Sequence, residues 1–467
     1  MPSEYVYRPD HWGRLKKHIK EKMKLKNAFL GIVLCYGFTA QAQEAWSLQD
    51  CIQYALQNNI QIQKNRVSEE QGDVALWQNK GALFPSLSFN TNQGLGYRPF
   101  EETTAIVQNG QVTNTSSKVT YQGSYGVNAN WTVWNGGINR KNIEAQELKN
   151  EITKLTTESR EMTIQEQIAQ LYVQIMYTKE AKKVNEKLME TAQSQYDRGV
   201  EMLNQGQMAK ADLTQLEAQL SGAKYDIVAS ETQLANYKRQ LKALLEIDLN
   251  TPFDVKGEVP GDDKALSMIP NANDAYQRAL ATRPEIRSAE LNVDAADLNV
   301  DIAKRGFLPT LGVSASMGDS HYSASPKSTG KQMKTNLNMS AGVNVSVPIF
   351  DNRRNRSNLK QAKLQKVTSQ LDLQDQKNTL SSTIEQYWIN ANNNQQSFMA
   401  AQSRVKSQEA SYELLNEQFK NGLKNVVEVL QGRDNLINAE QSLLQSKYTT
   451  LLNIQLLKFY TGEDIDL

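Results

Sequence analysis

The sequence is poor in residues that interrupt helices. Its 467 residues include 11 prolines, and none of them lies between residues 100 and 251 or between 349 and 467. Because proline breaks helix interiors, both stretches are free to form long helices. The other prolines after residue 42 lie at predicted junctions between elements: Pro85, Pro99, Pro252, Pro260, Pro270, Pro284, Pro309, Pro326 and Pro348.

The chain also has few residues that support catalysis. Of three histidines, His11 and His18 precede a predicted cleavage site, which leaves His321 alone in a predicted surface loop. This excludes a His-based triad and a multi-His metal site. After the cleavage site Cys51 is the one cysteine, so it has no intrachain disulfide partner. With no phosphate-binding glycine loop and no G-x-S-x-G motif, we expect no enzyme, catalytic residue, cofactor or metal.

The amino terminus has the pattern of a secretory signal peptide over residues 23–42. A basic start at Met23–Lys26 precedes a short apolar run, Ala28–Phe38, and a small-x-small site at Ala40–Ala42. We expect cleavage before Gln43, residues 1–22 as an upstream extension, and no acylation of Cys35 because Leu34 precedes it. The alternative is a buried amino-terminal helix.

Removing the leader changes the charge balance and leaves no long apolar segment. Residues 1–42 hold eight Lys and Arg against three Asp and Glu, so the formal charge of +1 becomes −4 (44 against 48). No nucleic-acid surface is predicted. No later run reaches the roughly 18 apolar residues of a membrane helix. The exported chain therefore either stays periplasmic or crosses a membrane by strands.

The sequence contains its framework twice. Phe84–Leu87 recurs as Leu308–Leu311 at an offset of 224 (309 − 85), and Asn139-Arg140 recurs as Asn355-Arg356 at an offset of 216 (355 − 139). Solenoid repeats have periods of roughly 20–50 residues, so a duplicated domain is the better interpretation. Each half reads helix, proline, strand, loop, strand, long helix, glycine, long helix.

Two long helical hairpins are predicted from apolar spacing. From Gly137 to Tyr196 apolar residues recur at steps of three and four, which indicates a helix of roughly 90 Å. Predicted breaks at Gly199 and Gly422 separate the long helices from returning helices. The returning helices are predicted at about Lys210–Glu246 and at Val426–Tyr460. The hairpins are coiled coils in the periodic sense, and most of their Leu and Ile form helix–helix core.

Four segments between the short and long helices alternate with period two, as in Tyr121–Trp134. An apolar face opposite a small polar face is typical of a transmembrane barrel with a wet lumen, although a half-buried soluble sheet is the alternative. Expected interfacial aromatics are Trp131, Trp134, Tyr97 and Phe100. Four strands cannot enclose a water-filled lumen, and edges cannot stay unpaired in lipid, so several chains must combine their strands.

The order of these features resembles the TolC-like outer-membrane efflux proteins over nearly all of the chain after the leader. The residues that match are the two proline-initiated strands and two break motifs, Tyr196–Gly199 with Ala211–Leu213 downstream, and Phe419–Gly422 running into Val426–Leu430. The resemblance implies a homotrimer with a twelve-stranded barrel in the outer membrane, in contact with its lipid, and a long α-helical tunnel in the periplasm. It also implies a periplasmic adaptor at the hairpin tips near Gly199 and Gly422, and an inner-membrane transporter.

The predicted fold is therefore mainly α with a membrane β-barrel, built from a duplicated helix-strand-strand-hairpin unit. Its segments are 43–84 (periplasmic helices, copy 1), 85–135 (strand pair 1), 136–249 (long hairpin 1), 250–270 (linker), 271–308 (periplasmic helices, copy 2), 309–350 (strand pair 2), 351–461 (long hairpin 2) and 462–467 (tail).

The resemblance also implies a periplasmic constriction. Glu428 falls on the first position of an acidic pair and Gln431 on the second, Phe419 replaces a tyrosine that would bond Asp212, and Lys424 replaces an arginine. Three copies of Glu428 would form a ring that attracts cations, unless Glu428 only caps or solvates its helix. The segment from Gly199 to Asp212 is longer than its predicted counterpart from Gly422 to Glu428 (13 against 6).

The predicted function is a passive exit duct of a tripartite efflux or type I secretion system. The alternative is a periplasmic coiled-coil structural or adhesion protein without a pore. The alternating strands favour the duct, because a scaffold has no need of a lipid-facing stripe. The sequence does not distinguish drug, metal-ion and protein export.

Overall fold

The computed structural model describes residues 45–97, 99–100, 104–108, 111–115, 118–257, 261–323, 325, 327–421 and 423–466. The predicted upstream extension and signal peptide, residues 1–42, lie outside the described residues, as does Gly422. The elements in chain order are α1 (Leu48–Asn58), α2 (Ile60–Gly81), β1 (Ser86–Tyr97), β2 (Thr104–Gln108), β3 (Gln111–Thr115), β4 (Val119–Trp134), α3 (Ile138–Asn204), α4 (Lys210–Leu244), α5 (Asp262–Ala265), α6 (Ala272–Thr282), α7 (Pro284–Arg305), β5 (Thr310–Tyr322), α8 (Thr329–Thr335), β6 (Asn338–Ser346), α9 (Arg354–Lys420) and α10 (Val426–Tyr460).

The two copies match in the length of every helix that they share. Helices α3 and α9 each have 67 residues, α4 and α10 each have 35, and α2 and α7 each have 22. The offset of 224 holds through the first strand of each copy, and the offset of 216 holds from the long helix onward. The difference falls in the loop between the strands, where copy 1 has the ribbon β2–β3 and copy 2 has α8.

The helices form a row with two free edges. Next to the sheet, contacts run in the order α2, α3, α7, α9; in the half farther from the sheet they run α4, α3, α10, α9. Helix α9 is therefore one edge over its whole length, which at 67 residues is roughly 100 Å. Helices α2 and α4 together form the other edge.

The four long strands form one antiparallel sheet in the order β1-β4-β5-β6, so β1 and β6 are its edges. The register places the predicted alternation on common faces. One row across the sheet is Phe89, Val127, Met317 and Met339, and the next row is Ser88, Asn128, Ser316 and Ser340. In these rows one face is apolar and the other is small and polar, whereas farther from the helices the first face also carries Thr91, Asp319 and His321. The ribbon β2–β3 was not predicted from the sequence.

The main hydrophobic core lies at the level where the short connecting segments meet the long helices. It joins α1, the middle of α3 and the last turns of α4 and α10, through residues such as Ile168, Leu245 and Leu457. Cys51 is fully buried there, and burial raises the pKa of its thiol to about 12. The thiol therefore stays protonated near neutral pH and is a packing group.

Among the described residues, no helix combines the length and the apolar character that a membrane-spanning helix requires.

Candidate functional site

The first hairpin turns farther along the chain than the sequence predicts. Helix α3 continues through Gly199 to Asn204, and the turn spans residues 205–209 with Gly206 in the left-handed region (φ 73°). The predicted helix break at Gly199 is therefore wrong. The two long hairpins are related by an offset of 216 residues. At this offset the residue equivalent to Gly422 is Gly206, not Gly199. The extra length predicted for the first tip disappears, because five residues separate the helices in each hairpin.

Gly199 instead lies in tight contact with the returning helix. A β-carbon on Gly199 would lie 2.7 Å from Cδ1 of Leu216, so the glycine accommodates the leucine from the returning helix. The second hairpin has the same contact with the residues exchanged, since a β-carbon on Gly432 would lie 2.6 Å from Cδ1 of Leu415. In each hairpin one helix supplies a leucine at this level and the other supplies no side chain.

A small apolar cluster joins the two tips. Leu216 of the first hairpin packs with Val426 and Leu430 of the second, and Phe419 packs against them from α9. Phe419 thus contributes apolar contact at this position. Asp212 lies half-buried in the first turn of α4, and within the described part of the chain its carboxylate makes no hydrogen bond or ion pair. The structure does not bring Phe419 and Asp212 into a polar contact.

Glu428 lies in the first turn of α10 and pairs with Lys424. Its carboxylate is 2.5 Å from Lys424 Nζ, and its backbone N–H donates to Oδ1 of the N-cap residue Asn425 at 2.9 Å. The hydrogen bond from Lys424 and its charge hold the pKa of Glu428 below its ordinary value. Capping is done by Asn425, and Glu428 remains partly exposed. Gln431 is exposed one turn later, where its amide donates to Asn435.

A polar layer between the hairpins was missed by the sequence reading. Gln195 of α3 donates to the Tyr412 hydroxyl of α9 at 3.1 Å, which links the two hairpins. Arg433 of α10 is nearly buried, and within the described residues its Nε has no partner. It borders a cleft of about 550 Å³ between α4 and α10. The sequence carries little signal for this buried arginine, because adjacent Arg433 and Asp434 have the pattern of a solvent-exposed ion pair.

The apolar sheet face carries the predicted aromatics at its two ends. Trp131 and Trp134 lie at the end nearest the helices, where Trp131 Nε1 donates to the carbonyl of Leu83 at 2.9 Å. Tyr97 and Phe100 lie at the opposite end. All four side chains are exposed in the single chain. Two exposed aromatic levels therefore border one exposed apolar face.

His321 is not in a surface loop, as the sequence suggested, but near the end of β5. It is nearly buried, with ring centroids 5.3 Å from Tyr121 and 5.9 Å from Tyr125. The cross-strand partner of His321 is Gly123, whose missing side chain leaves room for the imidazole. The histidine packs over a glycine in the neighbouring strand. The sequence around His321 does not indicate this packing role, because the glycine is distant along the chain.

Comparisons with known proteins agree with this architecture. Among curated relatives, the outer membrane efflux protein BepC of Brucella suis biovar 1 (strain 1330) is 22% identical over 424 residues, covering 91% of this chain and 87% of the relative. The outer membrane protein TolC of Escherichia coli (strain K12) is 24% identical over 443 residues, covering 92% and 84%. The solved CmeC outer membrane channel of Campylobacter jejuni superposes with a TM-score of 0.71 at 20% identity, covering 90% of this chain and 87% of that chain.

The likeness to CmeC shows a shared fold, and the family comparison goes further. The profile of the family described as outer membrane efflux protein matches residues 51–245 and 275–463, which include both copies of the duplicated unit. The relatives are channel proteins of the outer membrane. The chain belongs to the outer membrane efflux protein family.

Proposed function

We propose that three copies of this chain form the passive outer-membrane exit duct of a tripartite efflux or type I secretion system. The observation that carries the proposal is that the sheet and the helix row have their free edges on the same two copies of the duplicated unit, one edge on each copy. Copy 1 supplies one edge through β1 and α2, and copy 2 supplies the other through β6 and α9. A repeated contact between unlike edges forms a ring when its rotation closes.

Exposed apolar stripes on the two edge helices support this closure. On α9 the stripe consists of Leu364, Val367 and Leu371, at steps of three and four. On α2 the stripe consists of Ile60, Val67, Val74 and Trp77. Exposed apolar surface at both edges of the helix row is typical of an interface between chains. Three chains with four strands each would give the twelve strands expected from the family resemblance.

The dimensions of the sheet suit a bilayer. Twelve positions separate Val119, which pairs with Tyr97, from Trp131 (131 − 119). At about 3.3 Å per residue the strand length is about 40 Å, and a tilt of about 40° gives a height of about 30 Å, the thickness of a hydrocarbon core. The apolar face would contact lipid and the polar face would line the lumen, with tryptophans at one interface and Tyr97 at the other.

In this arrangement the helical hairpins would extend into the periplasm as a tunnel. Their tips, with Glu428 and Gln431 at the constriction, would meet a periplasmic adaptor, and an inner-membrane transporter would supply energy. The chain itself would act as a path. The apolar tip cluster and the half-exposed Lys424–Glu428 pair support a closed state held mainly by packing, since an exposed ion pair of this kind contributes little to stability.

Single-channel recording in planar bilayers tests the proposal. Purified protein is expected to insert as a trimer and to conduct, with the trimer mass measured by light scattering in detergent. A trimer that associates with lipid yet never conducts, or a chain that stays soluble without lipid, would favour the coiled-coil scaffold instead.

A further inference from the structure

The segment that connects β6 to α9 has an unusual combination of exposed groups. Ile349 and Phe350 are 96% and 83% exposed, although both are large and apolar. Arg353, Arg354 and Arg356 follow at once and are also exposed. Apolar residues next to a group of cations are typical of a segment at a membrane surface.

The three arginines have no charged partner within the described part of the chain. The nearest carboxylate in sequence is Asp351, but its Oδ2 accepts the backbone N–H of Asn355 at 2.8 Å, and its backbone carbonyl accepts from Arg354 N at 3.1 Å. Asp351 thus serves the start of the helix. The guanidinium groups are left for a partner outside the chain.

Arg353 occupies a backbone conformation that disfavours it. Its φ is 67°, in the left-handed region, and Asn352 before it has φ 53°. The equivalent positions in copy 1 are Gly136 and Gly137, with φ of 69° and 79°. Glycine adopts this region without the steric penalty that a side chain brings. An arginine at a position that the duplicate fills with glycine points to a role for its side chain.

The level of this segment is set by its counterpart. Phe350 lies at the position equivalent to Trp134, the aromatic at the helix end of the sheet. Val343 and Val345, on the apolar face of β6, lead into the segment along the same strand. In the proposed barrel this level is the periplasmic leaflet, so the following arginines lie among headgroups.

We propose that Arg353, Arg354 and Arg356 bind the phosphates of anionic phospholipids in the periplasmic leaflet, while Ile349 and Phe350 embed beside the acyl chains. The inference rests on the proposed membrane barrel. Guanidinium groups match phosphate in planar, bidentate geometry. An acidic patch on a neighbouring protein would satisfy the charges, but it would leave the adjacent apolar pair exposed. A lipid satisfies both parts of the segment.

Tryptophan quenching by brominated lipids tests the proposal. Phe350→Trp, in a background carrying Trp131→Phe and Trp134→Phe, places one reporter beside the cluster. The protein is reconstituted in phosphatidylcholine, and brominated phosphatidylglycerol is compared with brominated phosphatidylcholine. Each basic group near an anionic surface contributes about five-fold, so Arg353→Gln/Arg354→Gln/Arg356→Gln is expected to lower the preference for phosphatidylglycerol by roughly 100-fold at low salt.

The matched control removes the same charge elsewhere. Lys224→Gln/Arg404→Gln/Lys406→Gln changes three exposed cations of the hairpins that have no ion pair among the described residues, and it is expected to leave lipid preference unchanged. Equal preference in the arginine variant and the wild type would overturn the proposal. So would dissociation of the arginine variant in neutral detergent, since the groups would then hold subunits together. Conductance of the same samples separates this outcome from failure of the proposed channel, because a conducting variant with unchanged lipid preference contradicts only the lipid site.

Discussion

The two copies of the unit match in helix length but differ where the backbone turns left-handed. Copy 1 uses Gly136 and Gly137 to enter its long helix, whereas copy 2 uses Asn352 and Arg353. At the end of the returning helix the assignment is reversed, because Glu246 adopts φ 58° in copy 1 and Gly462 adopts φ 93° in copy 2. The fold therefore specifies the conformation, and each copy has met it with different residues.

The contacts between helices show the same freedom. The leucine and glycine at the narrow point of each hairpin have exchanged helices, as Leu216 with Gly199 and Leu415 with Gly432. Both hairpins retain a contact between a leucine on one helix and a glycine on the other. The following predictions test whether the copies are equivalent in this sense, from the largest expected effect to the smallest.

Exchanging the pair in the first hairpin is expected to cost less than either single change. Leu216→Gly removes a buried side chain and adds a helical glycine, for a loss of about 3–5 kcal/mol. Gly199→Leu overpacks the crossing, for a loss of about 1–3 kcal/mol. The double variant reproduces the arrangement of the second hairpin and should regain most of the stability, measured by thermal unfolding in detergent. Strictly additive losses would show that the crossing tolerates only its present orientation.

If the sheet is part of the proposed barrel, its two faces should respond differently to charge, and the two copies should respond alike. Val343→Asp, or its copy 1 equivalent Val127→Asp, places a carboxylate in lipid and should lower stability by up to about 2 kcal/mol, because acids lie at the milder end of the range. Asn344→Asp and Asn128→Asp face the lumen and should have little effect. Trimer yield in outer membranes measures both. Equal tolerance on the two faces would favour a soluble sheet.

Removing the strain at the start of α9 should stabilise the chain. Arg353→Gly replaces a left-handed arginine by the residue found in copy 1, and we expect a gain of about 0.5–1 kcal/mol. The reverse change, Gly137→Arg, should lose about 1–2 kcal/mol, since a β-carbon there would also lie 2.8 Å from Nη1 of Arg305. Unfolding in detergent without anionic lipid measures both. A loss of stability in Arg353→Gly would mean that the side chain makes contacts that outweigh the strain.

The smallest effect on stability, but a clear one on conduction, is expected at Glu428. If three copies ring the constriction, multivalent cations added from the periplasmic side should block the channel, and Glu428→Gln should relieve the block. Block needs the carboxylate ionised, and Lys424 lowers the pKa of Glu428, so block should persist on acidification to below the ordinary range for glutamate and vanish as the pH falls through the lowered pKa. Asp212→Asn, at the equivalent position of copy 1, shows whether the block also needs the carboxylate of the first tip. Unchanged block in Glu428→Gln would place the residue away from the constriction.

The sequence predicted elements best where local signals and periodicity agreed. Helices α4 and α10 start at Lys210 and Val426 after short polar turns, where the sequence predicted starts at about Lys210 and at Val426. The faces of the strands were predicted because side chains alternate along a strand. Once one residue is assigned to the apolar face, the faces of the others follow. Gly199 misled because a glycine in a helix reads as a break, whereas here it allows a tertiary contact that only the neighbouring helix explains.

Other features depended on partners distant in sequence. The burial of His321 requires Gly123 on another strand, and the packing of Phe419 requires Leu216 from the other hairpin. Nothing within a few residues of either position carries that information. The roles of Glu428, Gln431 and Lys424 at a constriction remain predictions, because they concern contacts between separate chains.

The equal lengths of the duplicated helices have a consequence for how this molecule can change. Helices α3 and α9 each have 67 residues and each returns through 35, so both tips of a chain end at one level. In the proposed tunnel, a deletion of one heptad from a single hairpin would place the two tips at different levels, whereas the same deletion in both hairpins, on outgoing and returning helices alike, would keep them level and shorten the tunnel by roughly 10 Å. The length of the long hairpins is therefore encoded twice in the chain. A change in that length has to be made in both hairpins if the two tips are to stay at one level.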